Sequence, residues 1–456
     1  MNRSHTDLRR LIWLYFWLLL LEGAMRKWLF PGLSNALLIV RDPVVLGIYA
    51  LALRDKVFPR NGFVLWIFLL AILCFLASFA GIGTLPVTVY GLRADFLHLP
   101  LIFVLPAVLR SEDVRRMGLA LLLLLPPMTL LAVKQFQAGP LSSWNVGAGG
   151  EVGGQLYAAA GKVRASGTFS FATGLATYLA LTTAYLLDDL LGARTYPRWL
   201  SIAAVPAMVL TLGVSGSRTA VIAVTMVCSL VVYIAFRRPK QMGGAVRFIL
   251  LAVMAAVALV WFAPVFMEGI AVQRERFESG GGVQQGIVVR FFQDFIAAGS
   301  ALTHAPPLGM GLGVGTNVGA KLLQGYREFA LGEGEWQRVI LENGALLGVA
   351  YLGLRLAILL AAIFTALRAY REGRNLPLLL MGAGGLDLAI AQFGQPTTLG
   401  FAVFTTGLAF AAAVPGATTT SPLPQRITPK PASTAVRGRS SYAERLHGGE
   451  EKDDSR

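Results

Sequence analysis

Charge and cysteine are scarce in this chain. Only 14% of its 456 residues are Asp, Glu, Lys or Arg, and it has two cysteines and four histidines. Cys74 and Cys228 both lie inside apolar runs, which argues against a disulfide framework and leaves the redox compartment unread. What fills the space is hydrocarbon: 55% of the residues are hydrophobic and the mean hydropathy is +0.62, far more apolar than a soluble domain of this length needs. A lipid bilayer is the natural solvent for such a chain. The formal charge of +15 would suit nucleic acid, but the Lys and Arg residues fall mostly in short segments between long apolar runs. That is the distribution that orients a membrane protein, and nucleic acid is not an expected partner.

A spanning helix needs about 20 mostly apolar residues. Runs of that kind occupy residues 10–29, 33–53, 62–81, 86–109, 117–136, 169–190, 199–215, 218–236, 246–267, 337–367, 376–394 and 398–415. The expected fold is therefore an all-α polytopic membrane protein with about twelve transmembrane helices over 1–415. The first run lacks a small-residue cleavage site and ends in Glu22, Arg26 and Lys27, so it reads as a retained anchor. Alternate connections carry the basic residues, among them Arg54, Lys56 and Arg60, then Arg237, Arg238 and Lys240. With Arg3, Arg9 and Arg10 they place both termini in the cytoplasm.

Two connections are long, and both fall on the side opposite the basic loops. The first, 137–168, is rich in Gly and Ala; the second, 268–336, is too long to be a turn. Within the second, apolar residues recur at helical spacing from Val288 to Ala301, which predicts a short amphipathic helix on the membrane surface. Pro306, Pro307 and then Gly309, Gly311, Gly313 and Gly315 predict a bend with close backbone approach. The tail, 416–456, is rich in Thr, Ser, Pro and mixed charge and is expected to be disordered in the cytoplasm. No internal repeat is visible, which weighs against a transporter built from inverted halves.

Charges inside apolar runs cost roughly 2.5 to 3.5 kcal/mol each on insertion scales, so each needs an account. Arg41-Asp42-Pro43 sits in the second run, and Arg93, Asp95 and His98 in the fourth. Both groups are read either as neutralised structural clusters or as the wall of a cavity for a polar substrate. Adjacent residues point in different directions on a helix, so Arg41 and Asp42 need not pair with each other. Asp387, Gln392 and Gln395 either line a cavity or satisfy a neighbouring helix. Ser215-Gly216-Ser217-Arg218 is a tight turn opening a helix; it would make a small anion site, or anchor a helix end at the headgroups. Arg290 heads the amphipathic stretch with the same two readings. Glu333, Glu335 and Trp336 precede the tenth run, where the carboxylates are either solvated charges at a helix start or acceptors of a proton from a hydroxyl nucleophile.

Several of these segments together resemble the O-antigen ligase and polymerase superfamily of bacterial inner-membrane proteins, over roughly 165–365. SGSRTAVIAV, with Arg218, is similar to that family's helix start. RFFQDFIAAGSALTHAPPLGMGLGVG, with Arg290, Pro307, Gly309, Gly311 and Gly313, follows its loop order, and LENGALLG, with Glu342, Gly344 and Gly348, resembles its last helix. The histidine that ligases of the group carry before that helix is absent; its place falls at or near Glu333, and the nearest histidine is His304.

The resemblance implies a GT-C-like architecture with a large periplasmic loop, 268–336, in a bacterial inner membrane. It implies transfer of a glycan from a polyprenyl-pyrophosphate carrier to a sugar hydroxyl at the periplasmic face, without metal, nucleotide or other cofactor. Glu335 or Glu333 would handle the hydroxyl proton, Arg218 and Arg290 would hold the pyrophosphate, and Arg41, Asp42, Arg93 and Asp95 would line the cavity. A chain-length regulator is a further expected partner beside the bilayer. The missing histidine favours a polymerase of O-antigen or exopolysaccharide over a ligase acting on lipid A core or protein. A transporter of a lipid-linked substrate is the alternative from another class, and a scaffold without catalysis a third.

Overall fold

The computed structural model describes residues 4–279, 290–324, 331 and 334–415, the side chains of 290–294 and 324 excepted. The tail from Gly416 and the candidate Glu333 lie outside the described residues. Among those residues the fold is helical, with a lone antiparallel bridge between Tyr157 and Val163. The helices are α1 (Ser4–Ala24), α2 (Ser34–Leu37), α3 (Arg41–Arg54), α4 (Gly62–Ala77), α5 (Leu85–Leu92), α6 (Leu101–Val108), α7 (Ser111–Gln137), α8 (Ala172–Asp188), α9 (Arg198–Val214), α10 (Arg218–Arg237), α11 (Met242–Phe262), α12 (Pro264–Ser279), α13 (Arg290–His304), α14 (Asn317–Gln324), α15 (Glu335–Arg371), α16 (Leu376–Ile390) and α17 (Pro396–Ala413).

All twelve apolar runs fall in helical segments, but among the described residues eight helical stretches, not twelve, are long and apolar enough to cross a membrane. The second run, Pro31–Arg54, and the fourth, Leu85–Val108, are among the eight although each is interrupted, the second between α2 and α3 just before Arg41 and Asp42, the fourth by a wider turn at Arg93–Leu97 where charged groups enter the core. The runs 10–29, 169–190, 199–215 and 376–394 are not among them. At 15 residues, α16 reaches only about 22 Å, short of a hydrocarbon layer of about 30 Å. On α4 and α11 the long apolar side chains stand exposed, among them Phe68, Ile72, Leu250, Met254 and Trp261, an outer face that suits lipid and no other solvent.

Over their described residues the long connections are ordered by specific contacts. In the first, Gln135 accepts from the backbone N–H groups of Ser166 and Gly167, and Asn145 donates to the carbonyls of Gln135, Ala138 and Gly139. Buried side-chain amides thus replace a regular ladder. In the second, α12 runs on to Ser279, beyond the expected loop start, and α13 forms where the amphipathic spacing predicted a helix.

The glycine bend is a packing device. A Cβ on Gly309 would stand 2.2 Å from the Glu342 carbonyl, one on Gly313 2.3 Å from that of Val87, and one on Gly81 2.3 Å from that of Met310. Any side chain at these points would force backbones apart. The bend donates its Met310 and Gly311 N–H groups to the Leu341 and Glu342 carbonyls, 2.8 and 2.9 Å away, and so terminates the first part of α15.

That termination is needed because α15 is not one rod. Gly344 has φ 77° and ψ 169°, and Glu335 pairs with Arg355 at 2.6 Å. Twenty residues along a straight helix would separate them by about 30 Å. The limbs 335–343 and 345–371 therefore fold back on each other, with Gly348 against Ile340 at the crossing.

Candidate functional site

Two short ends meet inside the bundle. The first limb of α15 brings Glu335 and Arg338 down beside the turn 391–395 that joins α16 to α17, and buried charges converge on that turn. Its backbone groups are left over by the ends of two helices and, away from water, require partners.

On one side lies a cluster of Asp95, Glu335, Glu342, Arg338 and Arg355, all at most 4% exposed. The Arg338 guanidinium reaches Asp95 at 2.8 Å, Glu335 at 2.9 Å and Glu342 at 2.7 Å. Counting every contact, its five N–H groups meet five carboxylate approaches. Arg355 donates to Glu335, to the Leu388 carbonyl at 2.9 Å and to the Ala391 carbonyl at 3.0 Å, while its guanidinium lies 3.7 Å from the Phe393 ring centroid. The Phe393 N–H donates to Glu335 and the Gly315 N–H to Glu342. Arg338 and Arg355 are functional-cluster residues that sequence reasoning passed over. Arg338 carried a usable signal, standing three residues after Glu335 and four before Glu342 on one helix face.

On the other side Arg41 pairs with Glu22 at 2.8 Å and donates to the Pro396 carbonyl at 2.6 Å. Asp42 instead takes Arg93 at 2.7 Å and His98 at 3.0 Å. Since Asp42 accepts, His98 Nε2 carries the proton and Nδ1 accepts from the Tyr15 hydroxyl, 3.0 Å away. Arg26 adds a third guanidinium, 3.5 Å from Glu22. Arg41 and Asp42 thus pair with other helices and not with each other.

Beside the turn opens a small cleft, partly open to solvent, lined by Gly315, Thr316, Asn317, Arg338, Gln392, Gly394 and Gln395. None of the four residues expected to line a cavity, Arg41, Asp42, Arg93 and Asp95, lines this cleft. All four are engaged in the two clusters. Glu335 is buried beneath it, with four N–H donors converging on its carboxylate, so its oxygens are already engaged as acceptors.

Arg218 begins α10, capped by Ser217, whose hydroxyl accepts from the Ala220 N–H. Gly216 takes φ 59° in the turn before it, and Ser215 is held by Gln273. The Arg218 side chain is half-buried, and its buried terminal nitrogen NH1 has no hydrogen-bond partner among the described residues. α10 and α16 run antiparallel: Arg238 meets Asn375 at one end, and Gly382 packs on Val227 and Leu230 midway. Nine residues on from Val227 and eight from Gly382, Arg218 and Ile390 are both about 12 to 14 Å further along, at the same end of the bundle.

Arg290 starts α13, and its side chain lies outside the described residues. Five residues on, the Phe295 ring packs edge-on to Trp336 at 4.6 Å, so α13 lies against the start of α15. Trp336 donates its indole N–H to the Ala389 carbonyl. His304 is exposed and bonded to Thr303 and Ser300, within its own helix. The Asp387 side chain, on α16, has neither hydrogen bond nor ion pair among the described residues. Among those residues no group of three or more His, Cys, Asp or Glu is arranged to hold a metal ion. No protein-family model and no curated protein matches the chain.

Proposed function

We propose that this membrane protein is a glycan polymerase of the O-antigen or exopolysaccharide type, which moves a glycan from a polyprenyl-pyrophosphate carrier to a sugar hydroxyl at the periplasmic face of a bacterial inner membrane. The observation that carries the reading is Arg218: a guanidinium at a helix N-terminus, with a buried nitrogen unpaired, at the same end of the bundle as a polar cleft. Helix starts and unpaired guanidinium groups both favour a dianionic phosphate. The sequence resemblance adds Arg290 as its companion.

In this reading the acceptor hydroxyl attacks the anomeric carbon, the bond from that carbon to the pyrophosphate oxygen breaks, and Arg218 with Arg290 holds the departing charge. The hydroxyl proton goes to Asp387, an unpaired carboxylate within the apolar bundle. Glu335 serves as a positioning residue that fixes Arg338, Arg355 and the turn between α16 and α17. A membrane site suits such a donor, whose carrier stays in lipid while its polar head enters the protein.

Cells carrying Arg218→Ala, with the protein inserted at normal levels, are expected to lose long chains and accumulate single lipid-linked repeat units. Wild-type chain lengths in that variant would overturn the reading. Broken helices and interior charges also favour a second reading, transport of a lipid-linked substrate, because transporters build midplane sites from discontinuous helices. Trapping of the lipid-linked units on the cytoplasmic leaflet, in place of their accumulation outside, would select it.

A further inference from the structure

At the end of α10 opposite Arg218, the molecule collects cations that it does not neutralise. The segments 237–241 and 368–375 hold Arg237, Arg238, Lys240, Arg368, Arg371 and Arg374 against a single carboxylate, Glu372. Arg238 ties the two segments into one corner: it donates to the Tyr370 carbonyl and to Asn375 Oδ1, with its guanidinium 4.2 Å from the Tyr370 ring centroid. Glu372 is shared by Arg368 and Arg374. That leaves Arg237, Lys240 and Arg371, all exposed and none with a side-chain hydrogen bond or ion pair among the described residues. Two buried polar atoms in the corner, the Tyr370 hydroxyl and Arg374 Nε, also lack hydrogen-bond partners among those residues. In other basic segments cations stand beside carboxylates: Arg54 by Asp55, Arg116 by Glu112 and Arg9 by Asp113.

We infer that this corner binds the phosphodiester headgroup of an anionic phospholipid, with Arg237, Lys240, Arg371 and Arg374 as its ligands. Its place in the fold decides between anions. α10 and α15 belong to two of the stretches long and apolar enough to cross a bilayer, and the corner joins the ends of both, at the level where headgroups stand. Basic pockets between spanning helices at that level suit acidic headgroups, and guanidinium forks match phosphate oxygens. Hydrocarbon continues directly below. Phe236 on α10 and Leu360 and Phe364 on α15 stand exposed on the approach to the cations, a surface for acyl chains that a soluble anion would not use. The gap between the two helices has a floor in α16, which packs on α10 at Gly382 and on α15 at Gly385. An oxygen acceptor in the corner would also satisfy the Tyr370 O–H and Arg374 Nε–H donors, which are costly to leave unpaired away from water. The inference does not depend on the glycan-transfer reading.

The test takes the full chain in detergent micelles, adds phosphatidylglycerol or phosphatidylcholine, and counts bound lipids by native mass spectrometry alongside thermal unfolding. Phosphatidylglycerol is expected to bind about tenfold more tightly than phosphatidylcholine, a difference of one or two favourable charge contacts, and to raise the unfolding temperature. Arg237→Gln with Lys240→Gln and Arg371→Gln removes three exposed, unpaired charges, which the fold tolerates, and should weaken phosphatidylglycerol about tenfold or more. Tyr370→Phe, which deletes only the hydroxyl, should weaken it about threefold. The matched triple change Arg54→Gln, Lys56→Gln and Arg60→Gln alters net charge by the same amount at another basic segment and should leave binding unchanged. Equal binding of the two lipids, unchanged binding in the first triple variant or in Tyr370→Phe, or equal loss in the matched triple variant would each overturn the inference. Protection by inorganic phosphate equal to that by phosphatidylglycerol would assign the corner to a soluble anion and overturn it as a lipid site.

Discussion

The two buried clusters that flank the turn between α16 and α17 are opposite in composition. In the cluster of Asp95, Glu335 and Glu342 with Arg338 and Arg355, three carboxylates face two guanidinium groups. In the cluster of Glu22 and Asp42 with Arg26, Arg41 and Arg93, two carboxylates face three. Each alone would bury a net charge in an apolar bundle, at a cost of several kcal/mol per ion. Together, across one turn, they balance. Tyr90, whose hydroxyl approaches the Gly394 carbonyl, lies between them over the Arg93 guanidinium. The lesson is that neutrality inside this membrane protein is a property of the pair of clusters and not of each salt bridge.

That comparison predicts which substitutions hurt. Removing a cation should cost most where carboxylates are in excess: Arg338→Leu leaves three carboxylates against one guanidinium and is expected to lose about 3 to 5 kcal/mol, read as loss of folded protein in detergent thermal unfolding. Gly344→Ala comes next, because a Cβ there would meet the Pro307 carbonyl at 2.3 Å in a left-handed backbone, with an expected loss of about 3 kcal/mol. Since the fold-back it breaks sets the distance between Glu335 and Arg355, its effect should not add to that of Arg355→Leu in a double-mutant cycle.

The mirror-image substitution distinguishes the clusters directly. Asp42→Asn, which removes a negative charge where cations are already in excess, is expected to cost about 2 to 3 kcal/mol. Glu342→Gln removes one where carboxylates are in excess and is expected to cost only about 1 kcal/mol, keeping the acceptor for the Gly315 N–H. Equal effects from these two would dissolve the idea of a compensating pair. The smallest effect belongs to an exposed pair outside both clusters: Arg116→Ala, which breaks its 2.5 Å contact with Glu112, should change stability by less than about 0.5 kcal/mol.

Most of the helical content was legible, because long apolar runs admit few alternatives in lipid. The breaks were partly legible. Arg41, Asp42, Arg93 and Asp95 were singled out as costly, and the bend at Gly309 to Gly315 was expected to bring backbones together. The partners were not legible. Asp95 and Arg338 are 243 residues apart, and no local spacing connects them. Arg355 drew no reading from the sequence; the fold-back at Gly344 places it against Glu335, and Glu335 becomes an anchor held by four donors instead of an exposed base.

The sequence by itself determined that this chain lives in a bilayer as a set of helices, since hydrophobicity and helical hydrogen bonding are local properties summed along the chain. It also marked Arg218 as a cation at a helix start, because the Ser-Gly-Ser turn that opens that helix is written in adjacent residues. Only the tertiary structure decided which charges neutralise which, and why eight helices are long enough to cross where twelve runs were apolar enough. Ion pairing acts between groups a few ångströms apart in space, and in this fold the turn joining α16 and α17 sets those distances.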